Sequence, residues 1–245
     1  MKTNLLVSLL LLGTFVDGSS RANASLNRFD ENILKVITAA DPGTAFVAGP
    51  AENGRCVLLT AYHVVKENAD NEPLQFVSPK GFKFTLSKSA FKFDESLDIA
   101  FAPAPTCRNS IMLPFARASA ITVSTKVYIK GYPFDPESGQ IAQGWPLTVD
   151  GRVTQYNDTH GYDLNYDAAT RPGYSGGPVI NADASELMAV HGFSDTVGDT
   201  ADYEQREQLR VGGRGVSAPL VYRFLKDNGY QMPRSNKAVC LVGVC

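Results

Sequence analysis

The chain has 245 residues, with 25 acidic and 23 basic side chains, a formal net charge of −2 and 44% apolar residues. A near-neutral chain whose lysines and arginines are scattered carries no electrostatic footprint for nucleic acid, so no nucleic-acid partner is expected. That length and apolar content can bury a sizeable core, either as one larger domain or as two small ones sharing an interface.

In chain order the first signal is Lys2, then an apolar run from Leu5 to Val16, then the small residues Ala22 and Ala24. The run is too short to span a bilayer and the small residues suit a signal peptidase. Residues 1–24 therefore read as an export signal, with an anchoring helix as the alternative and a second possible cut after Gly18. The mature protein is expected to be secreted, extracellular or periplasmic, with no stable membrane anchor. Cys56, Cys107, Cys240 and Cys245 form an even set that suits disulfides in an oxidising compartment. Of the three pairings, Cys56 with Cys107 and Cys240 with Cys245 is favoured, against free buried thiols.

Beyond the leader the apolar positions alternate with period two. Phe82, Phe84 and Leu86 share one strand face, as do Val127 and Ile129, and as do Leu147 and Val149. Asn53-Gly54 and Asp150-Gly151 each separate a pair of apolar runs, the sequence form of a tight hairpin. Residues 109–119, with Pro114 and no alternation, read as a linker. One helix is predicted near the end: Ser217 caps it, Pro219 lies in its first turn, Leu220, Val221, Phe224 and Leu225 form its apolar face, and Asn228-Gly229 stops it. Short strands punctuated by glycine and proline imply an antiparallel barrel or sandwich.

The chemistry concentrates in residues 173–178, Gly-Tyr-Ser-Gly-Gly-Pro, with His63 upstream in Thr-Ala-Tyr-His-Val-Val and Asp98 in Leu-Asp-Ile-Ala. A serine hydroxyl is a weak nucleophile at neutral pH, so a glycine-framed serine with a separate His and Asp points to an activated nucleophile. The bland readings are a buried structural histidine at His63, a chain-turning Asp98 and a turn serine at Ser175, and Asp94 competes for the acid role. An unpaired carboxylate in a strand between Leu97 and Ile99 would be costly to bury, which favours a paired Asp98. Gly173–Gly177 also fits the G-x-S-x-G elbow of α/β-hydrolases, but that fold needs an acid and then a histidine after the nucleophile. Here only His191 follows, too close to leave room for them.

Other motif classes are weak. There is no His-Glu-x-x-His, phosphate loop or Cys-x-x-Cys, so neither metal nor cofactor is expected. The acidic stretch Glu67 to Glu72 reads as a solvated turn rather than a calcium loop. Asn157-Asp158-Thr159 is a glycosylation sequon, meaningful only where the host glycosylates secreted proteins, and His160 beside it reads as exposed loop.

Gly43-Thr44-Ala45-Phe46, Leu59 to Val65, Leu97-Asp98-Ile99-Ala100, Lys130-Gly131-Tyr132-Pro133 and Arg171 to Pro178 stand in the order found in chymotrypsin-fold serine proteases. The chain resembles the bacterial-type branch of high-temperature-requirement proteases and glutamyl endopeptidases, over roughly residues 40 to 228. The resemblance implies an all-β fold of two antiparallel six-stranded-type β-barrels with a C-terminal α-helix. The expected division is a first barrel over 25–118, a second over 119–216, the helix at 217–228 and a tail at 229–245. After the helix too little chain is left for the appended peptide-binding domain of high-temperature-requirement proteases, so none is expected.

The expected function is a secreted serine endopeptidase acting on polypeptides through an acyl-enzyme. Ser175 attacks the carbonyl, His63 takes and returns the proton, and Asp98 holds the histidine ring. The resemblance further implies that the N–H groups of Gly173 and Ser175 receive the oxyanion. It places Ala169 at the base of the primary pocket, where Lys- and Arg-selective proteases carry an acid. Thr170 and His191 fall where glutamyl-specific relatives bind a carboxylate, with a plain strand histidine as the equal alternative for His191. Tyr174 stands where the digestive and clotting branch has an aspartate that pairs with a new N-terminus, so maturation is expected to need only signal removal. The rival reading from another class is a catalytically inactive homologue that binds peptides or a protein partner.

Overall fold

Period-two burial organises the first half. A computed structural model describes residues 29–38, 42–66, 68–69, 72–107, 113–135, 138–157, 161–195 and 212–235. The export signal, Cys240 and Cys245, His160, most of the sequon and the end of the tail lie outside them. Strands β1 (Ile33–Ile37), β2 (Gly43–Ala48), β3 (Val57–Ala61), β4 (Pro73–Val77), β5 (Lys83–Ser87), β6 (Lys92–Asp94) and β7 (Ile99–Pro103) form one antiparallel sheet in the order β5-β4-β1-β2-β3-β7-β6. β3 is buried along its whole length between β2 and β7, whereas β5 at the edge alternates exposed and half-buried positions. Phe84 and Leu86 of β5 pack inward, and Phe84 stacks on Phe76, while Phe82 just before the strand is exposed. A disulfide joins Cys56 to Cys107 at 2.04 Å, tying the approach to β3 to the chain leaving β7.

The second half closes. β8 (Lys126–Gly131), β11 (Leu147–Tyr156), β12 (Leu164–Tyr166), β13 (Pro178–Asn181), β14 (Leu187–Ser194) and β15 (Gly213–Ser217) form a barrel in the order β11-β12-β15-β14-β13-β8, and β9 (Phe134–Asp135) and β10 (Gln140–Ile141) make a separate small ribbon. Val127 and Ile129 point into this barrel and are fully buried, whereas Leu147 is exposed and Val149 half-buried. The architecture is the chymotrypsin-like all-β arrangement expected, with one barrel closed and the other a curled seven-stranded sheet open between β5 and β6. The two halves share a core, in which Phe46, Leu59 and Phe101 meet Ile129, Val190 and Val221.

Several local expectations are corrected. Asp150-Gly151 is no hairpin, because β11 runs straight through it; a Cβ on Gly151 would lie 2.7 Å from the Ala168 nitrogen, so the glycine admits a neighbouring chain rather than a turn. Asn53-Gly54 does sit between paired strands β2 and β3, but within a longer loop, residues 49–56, with Gly54 at φ +76°. The described portion of the supposed linker is stitched in place: Phe115 is fully buried and bonds Pro233 and Ser235, and Ala116 bonds Leu187.

The C-terminal helix, α2 (Ala218–Asp227), forms where expected and buries Leu220, Val221 and Leu225 against the closed barrel. Phe224 reaches the other half, edge-on to Phe101. Gly229 ends it at φ +85°, as a helix stop requires, but the Ser217 side chain makes no capping bond. A short helix that the sequence did not signal, α1 (Tyr62–Lys66), follows β3 and carries His63. Among the described residues no helix is long and apolar enough to cross a membrane.

Candidate active site

β3 delivers the chain to α1 at the edge of the interface between the halves, so His63 emerges half-buried beside the turn that precedes β7. Asp98 lies in that turn, not in a strand, with a left-handed backbone at φ +53°. That conformation is uncommon for a residue with a Cβ, and here it is held from several sides. The Asp98 carbonyl accepts from Tyr62 N–H at 3.1 Å, its Oδ1 accepts from His63 N–H at 2.8 Å, and its Oδ2 contacts His63 Nδ1 at 2.7 Å. The Tyr162 phenol donates to the same Oδ2 at 2.5 Å. Burial pushes the Asp98 carboxyl up, but the His63 hydrogen bond and charge, with the Tyr162 and backbone donors, outweigh it and hold the group below the usual carboxylate range. Asp94 does other work: its Oδ1 accepts from Ser96 N–H, Ser96 Oγ and Leu97 N–H and so shapes the turn that presents Asp98.

Ser175 approaches from the closed barrel. Its loop is fixed by backbone conformations that only glycine adopts freely: Gly173 has φ +94°, Gly176 has φ +84°, and a Cβ on Gly176 would stand 2.1 Å from the Thr44 carbonyl oxygen. Thr44 of β2 clamps the loop across the interface. Its N–H donates to Ser175 O at 2.8 Å, its hydroxyl donates to Gly173 O at 2.7 Å, and the same hydroxyl accepts from Tyr132 N–H at 2.9 Å. Pro172 O is turned away to Phe134 N–H at 2.8 Å, and among the described residues the N–H groups of Gly173 and Ser175 donate to no protein acceptor. Two unspent donors thus flank the serine. The Ser175 hydroxyl itself bonds Gly192 O at 3.3 Å, and no hydrogen bond joins it to His63.

His63, Asp98 and Ser175 line one cleft of about 490 Å³, together with Gly173, Tyr162, Gly192, Phe193 and Ser194. Of the expected specificity residues, Ala169 is exposed and outside this lining, and Thr170 and His191 are fully buried behind it. Burial, and next the charge of His63, lower the His191 pKa to about 3, so the ring is neutral. Burial keeps the Tyr166 phenol protonated, and it is hydrogen-bonded to His191 Nδ1. The other ring nitrogen, Nε2, faces Ser194 Oγ at 3.4 Å, while Ser194 Oγ donates to Thr170 Oγ1 at 2.9 Å. Gly213 makes room for this relay, since a Cβ there would lie 2.9 Å from Thr170 Oγ1.

Three contributors were missed in the sequence: Tyr162, Ser194 and the clamp role of Thr44. Ser194 follows Phe193 on the same strand as His191 and could have been found from that spacing. Tyr162 meets Asp98 across 64 residues of chain, and nothing local announces it.

Comparison with known proteins bears on the family and the fold. The trypsin-like peptidase domain family matches residues 43–190. The fold is similar to that of the serine endoprotease from Yersinia pestis, with a TM-score of 0.60 and 16% identity over 84% of this chain and 65% of that one, so this chain spans less than two thirds of that protein. It is also similar to Rv3671c from M. tuberculosis H37Rv in an inactive mutant form, with a TM-score of 0.58 and 19% identity over 87% of this chain and 94% of that one. A sequence search among curated proteins finds no match. The chain belongs to the trypsin-like peptidase domain family.

Proposed function

We propose that this chain is a secreted, catalytically competent serine endopeptidase in which His63, Asp98 and Ser175 form the triad. The observation that carries the reading is the meeting, in one cleft, of a histidine held through Nδ1 by a carboxylate and a serine flanked by two unspent backbone donors. For reaction the Ser175 hydroxyl turns from Gly192 O to His63 Nε2. Its oxygen attacks the peptide carbonyl as its proton passes to His63, and Asp98 stabilises the imidazolium. The oxyanion takes hydrogen bonds from Gly173 N–H and Ser175 N–H, each worth roughly 3 kcal/mol in the transition state. His63 then gives its proton to the leaving amine, and water reverses the sequence to free Ser175.

The leader-like first residues and the Cys56–Cys107 disulfide support export to an oxidising compartment. Tyr174, buried before the nucleophile, offers no carboxylate to a new N-terminus, and Thr44 supplies the tie that holds the loop. Signal removal alone is then sufficient for maturation; a chain starting near Ser25 that stays inert until cut farther in would overturn this. The Ser194 hydroxyl at the cleft wall, backed by Thr170 and His191, can turn from Thr170 to donate into the cleft, which fits a substrate side chain ending in a carboxylate oxygen. Equal cleavage of Glu-containing and small-apolar peptides would remove that specificity.

The competing reading is an inactive homologue that binds peptides, and the resting bond from Ser175 to Gly192 O favours it. Labelling with a fluorophosphonate probe separates the two. The peptidase labels rapidly and loses labelling in Ser175→Ala; folded protein that never labels supports the binder.

A further inference from the structure

The Asp98 carboxylate receives three hydrogen bonds, and one comes from the other half of the molecule. Tyr162 sits in the connection between β11 and β12 of the closed barrel, while Asp98 belongs to the open sheet. Its phenol and the His63 ring share a single carboxylate oxygen, Oδ2, and the His63 backbone N–H occupies the other. The ring of Tyr162 reaches this place only because position 192 has no side chain: a Cβ on Gly192 would lie 2.1 Å from Tyr162 Cε1. The same Gly192 supplies the carbonyl that accepts the resting Ser175 hydroxyl. Tyr162 therefore touches the acid with its oxygen and backs the serine's resting partner with its ring.

We propose that Tyr162 is a positioning residue of the catalytic centre, whose phenol fixes the Asp98 carboxylate toward His63 and tempers its negative charge across the interface. The proposal rests on the triad reading above. An Asp98 relieved of this donor concentrates more charge on Oδ2 and, still held by the His63 backbone N–H on Oδ1, binds the His63 imidazolium more tightly. The His63 ring then holds its proton to higher pH, and less neutral base is present at a given pH. The other groups in reach are few. Asp98 and Arg214 of β15 act on Tyr162, Arg214 is itself paired with Asp195, and His191 of β14 feels His63 while remaining neutral. On the side of α1, Lys66 pairs with Glu95.

The test is Tyr162→Phe in the full chain, which keeps the ring against Gly192 and removes only the hydroxyl. The His63 ring is titrated by NMR in a Ser175→Ala background, with its resonances assigned by loss in His63→Gln. The expected result is a His63 imidazolium that is roughly three- to tenfold weaker as an acid, less than the full value of a hydrogen bond to a charged group because the phenol acts on His63 only through Asp98. In the chain that retains Ser175, peptide cleavage falls in kcat with KM unchanged, more steeply at pH 6 than at pH 9. A ring that merely fills space would leave the titration where it was, and an unchanged His63 titration overturns the proposal whatever the cleavage rates do. A rise in KM alone would make Tyr162 a substrate contact instead, and equally overturns it. The NMR titration needs no reacting serine. A chain that never labels with fluorophosphonate therefore sinks the peptidase reading separately from the Tyr162 assignment.

Discussion

The two walls of the cleft are held by different physics. On the open-sheet side, His63 and Asp98 are fixed by side-chain hydrogen bonds and charge, around a turn whose own aspartate sits at φ +53°. On the closed-barrel side, Ser175 is fixed by glycines that let backbone approach backbone, and by the Thr44 clamp reaching over from β2. The first wall is sensitive to proton and charge, the second to volume. One side of the site can therefore be damaged by adding a methyl group and the other by removing a hydroxyl.

The largest expected effect tests the volume-sensitive wall. In Gly176→Ala the new Cβ would meet Thr44 O at 2.1 Å and Thr60 Oγ1 at 2.3 Å, at a φ of +84°. Two of the obstacles, Thr44 O and the Ala61 nitrogen at 2.9 Å, are backbone, so no side-chain rotation relieves them. We expect destabilisation above about 4 kcal/mol in chemical unfolding, with loss of fluorophosphonate labelling. A variant that stays folded and labels normally would show that the loop is held by something other than this packing.

Next comes the buried ion pair between the two halves. Lys130 Nζ meets Asp30 Oδ1 with side-chain exposures of 2% and 10%, linking the segment before β1 to β8. Burial raises the Asp30 pKa, with Lys130 opposing it. Lys130→Met strands the carboxylate, and a loss of about 3–5 kcal/mol is expected in denaturant unfolding. The double change Lys130→Met with Asp30→Leu should recover most of it, because no buried charge is then left unpaired. A double variant as unstable as the single one would mean that the pair anchors through shape rather than charge.

Thr44→Val should act more gently and connects the two walls. The isosteric change removes the bond to Gly173 O and the one from Tyr132 N–H, leaving two buried backbone groups unpaired at about 1–3 kcal/mol each. Labelling should fall further than stability alone explains, since the peptide between Gly173 and the nucleophile loses its tie to β2. Equal labelling of Thr44→Val and the unaltered chain would show that the glycines suffice to hold the loop.

These contrasts also explain what could be read without coordinates. The nucleophile loop was legible because its requirement is local: positive φ at Gly173 and Gly176 writes itself into the sequence as glycine. Val127, Ile129 and the stop at Gly229 were legible for the same reason, each being a period or a backbone conformation. Gly151 misled because its glycine answers Ala168, a residue just beyond the end of β12, and a hairpin glycine looks identical. Asp98 was recognised by its neighbours but placed in a strand, since alternation ran through a turn that Asp94 builds with its side chain. Tyr162 and the Lys130–Asp30 pair were invisible because each joins positions far apart in the chain, 64 and 100 residues respectively, and no periodicity encodes such a meeting.

The smallest effect is a slope rather than a loss, and it probes whether charge is excluded from the barrel side as the comparison requires. His191 is buried and its pKa in the folded chain is about 3, below the ordinary histidine value of 6.5. As pH falls the unfolded chain therefore takes up the proton first. The contribution of His191 is fully present above 6.5, and it declines as pH drops from there toward 3, by up to about 1.4 kcal/mol per pH unit. Unfolding free energy measured between pH 7 and 4.5 should fall with this slope, and His191→Gln should flatten it whatever that variant's stability at pH 7. Parallel slopes for the two proteins would mean that the folded barrel accepts a charged ring. The relay through Ser194 and Thr170 would then be backed by a cation, and the closed-barrel wall would be sensitive to charge as well as to volume.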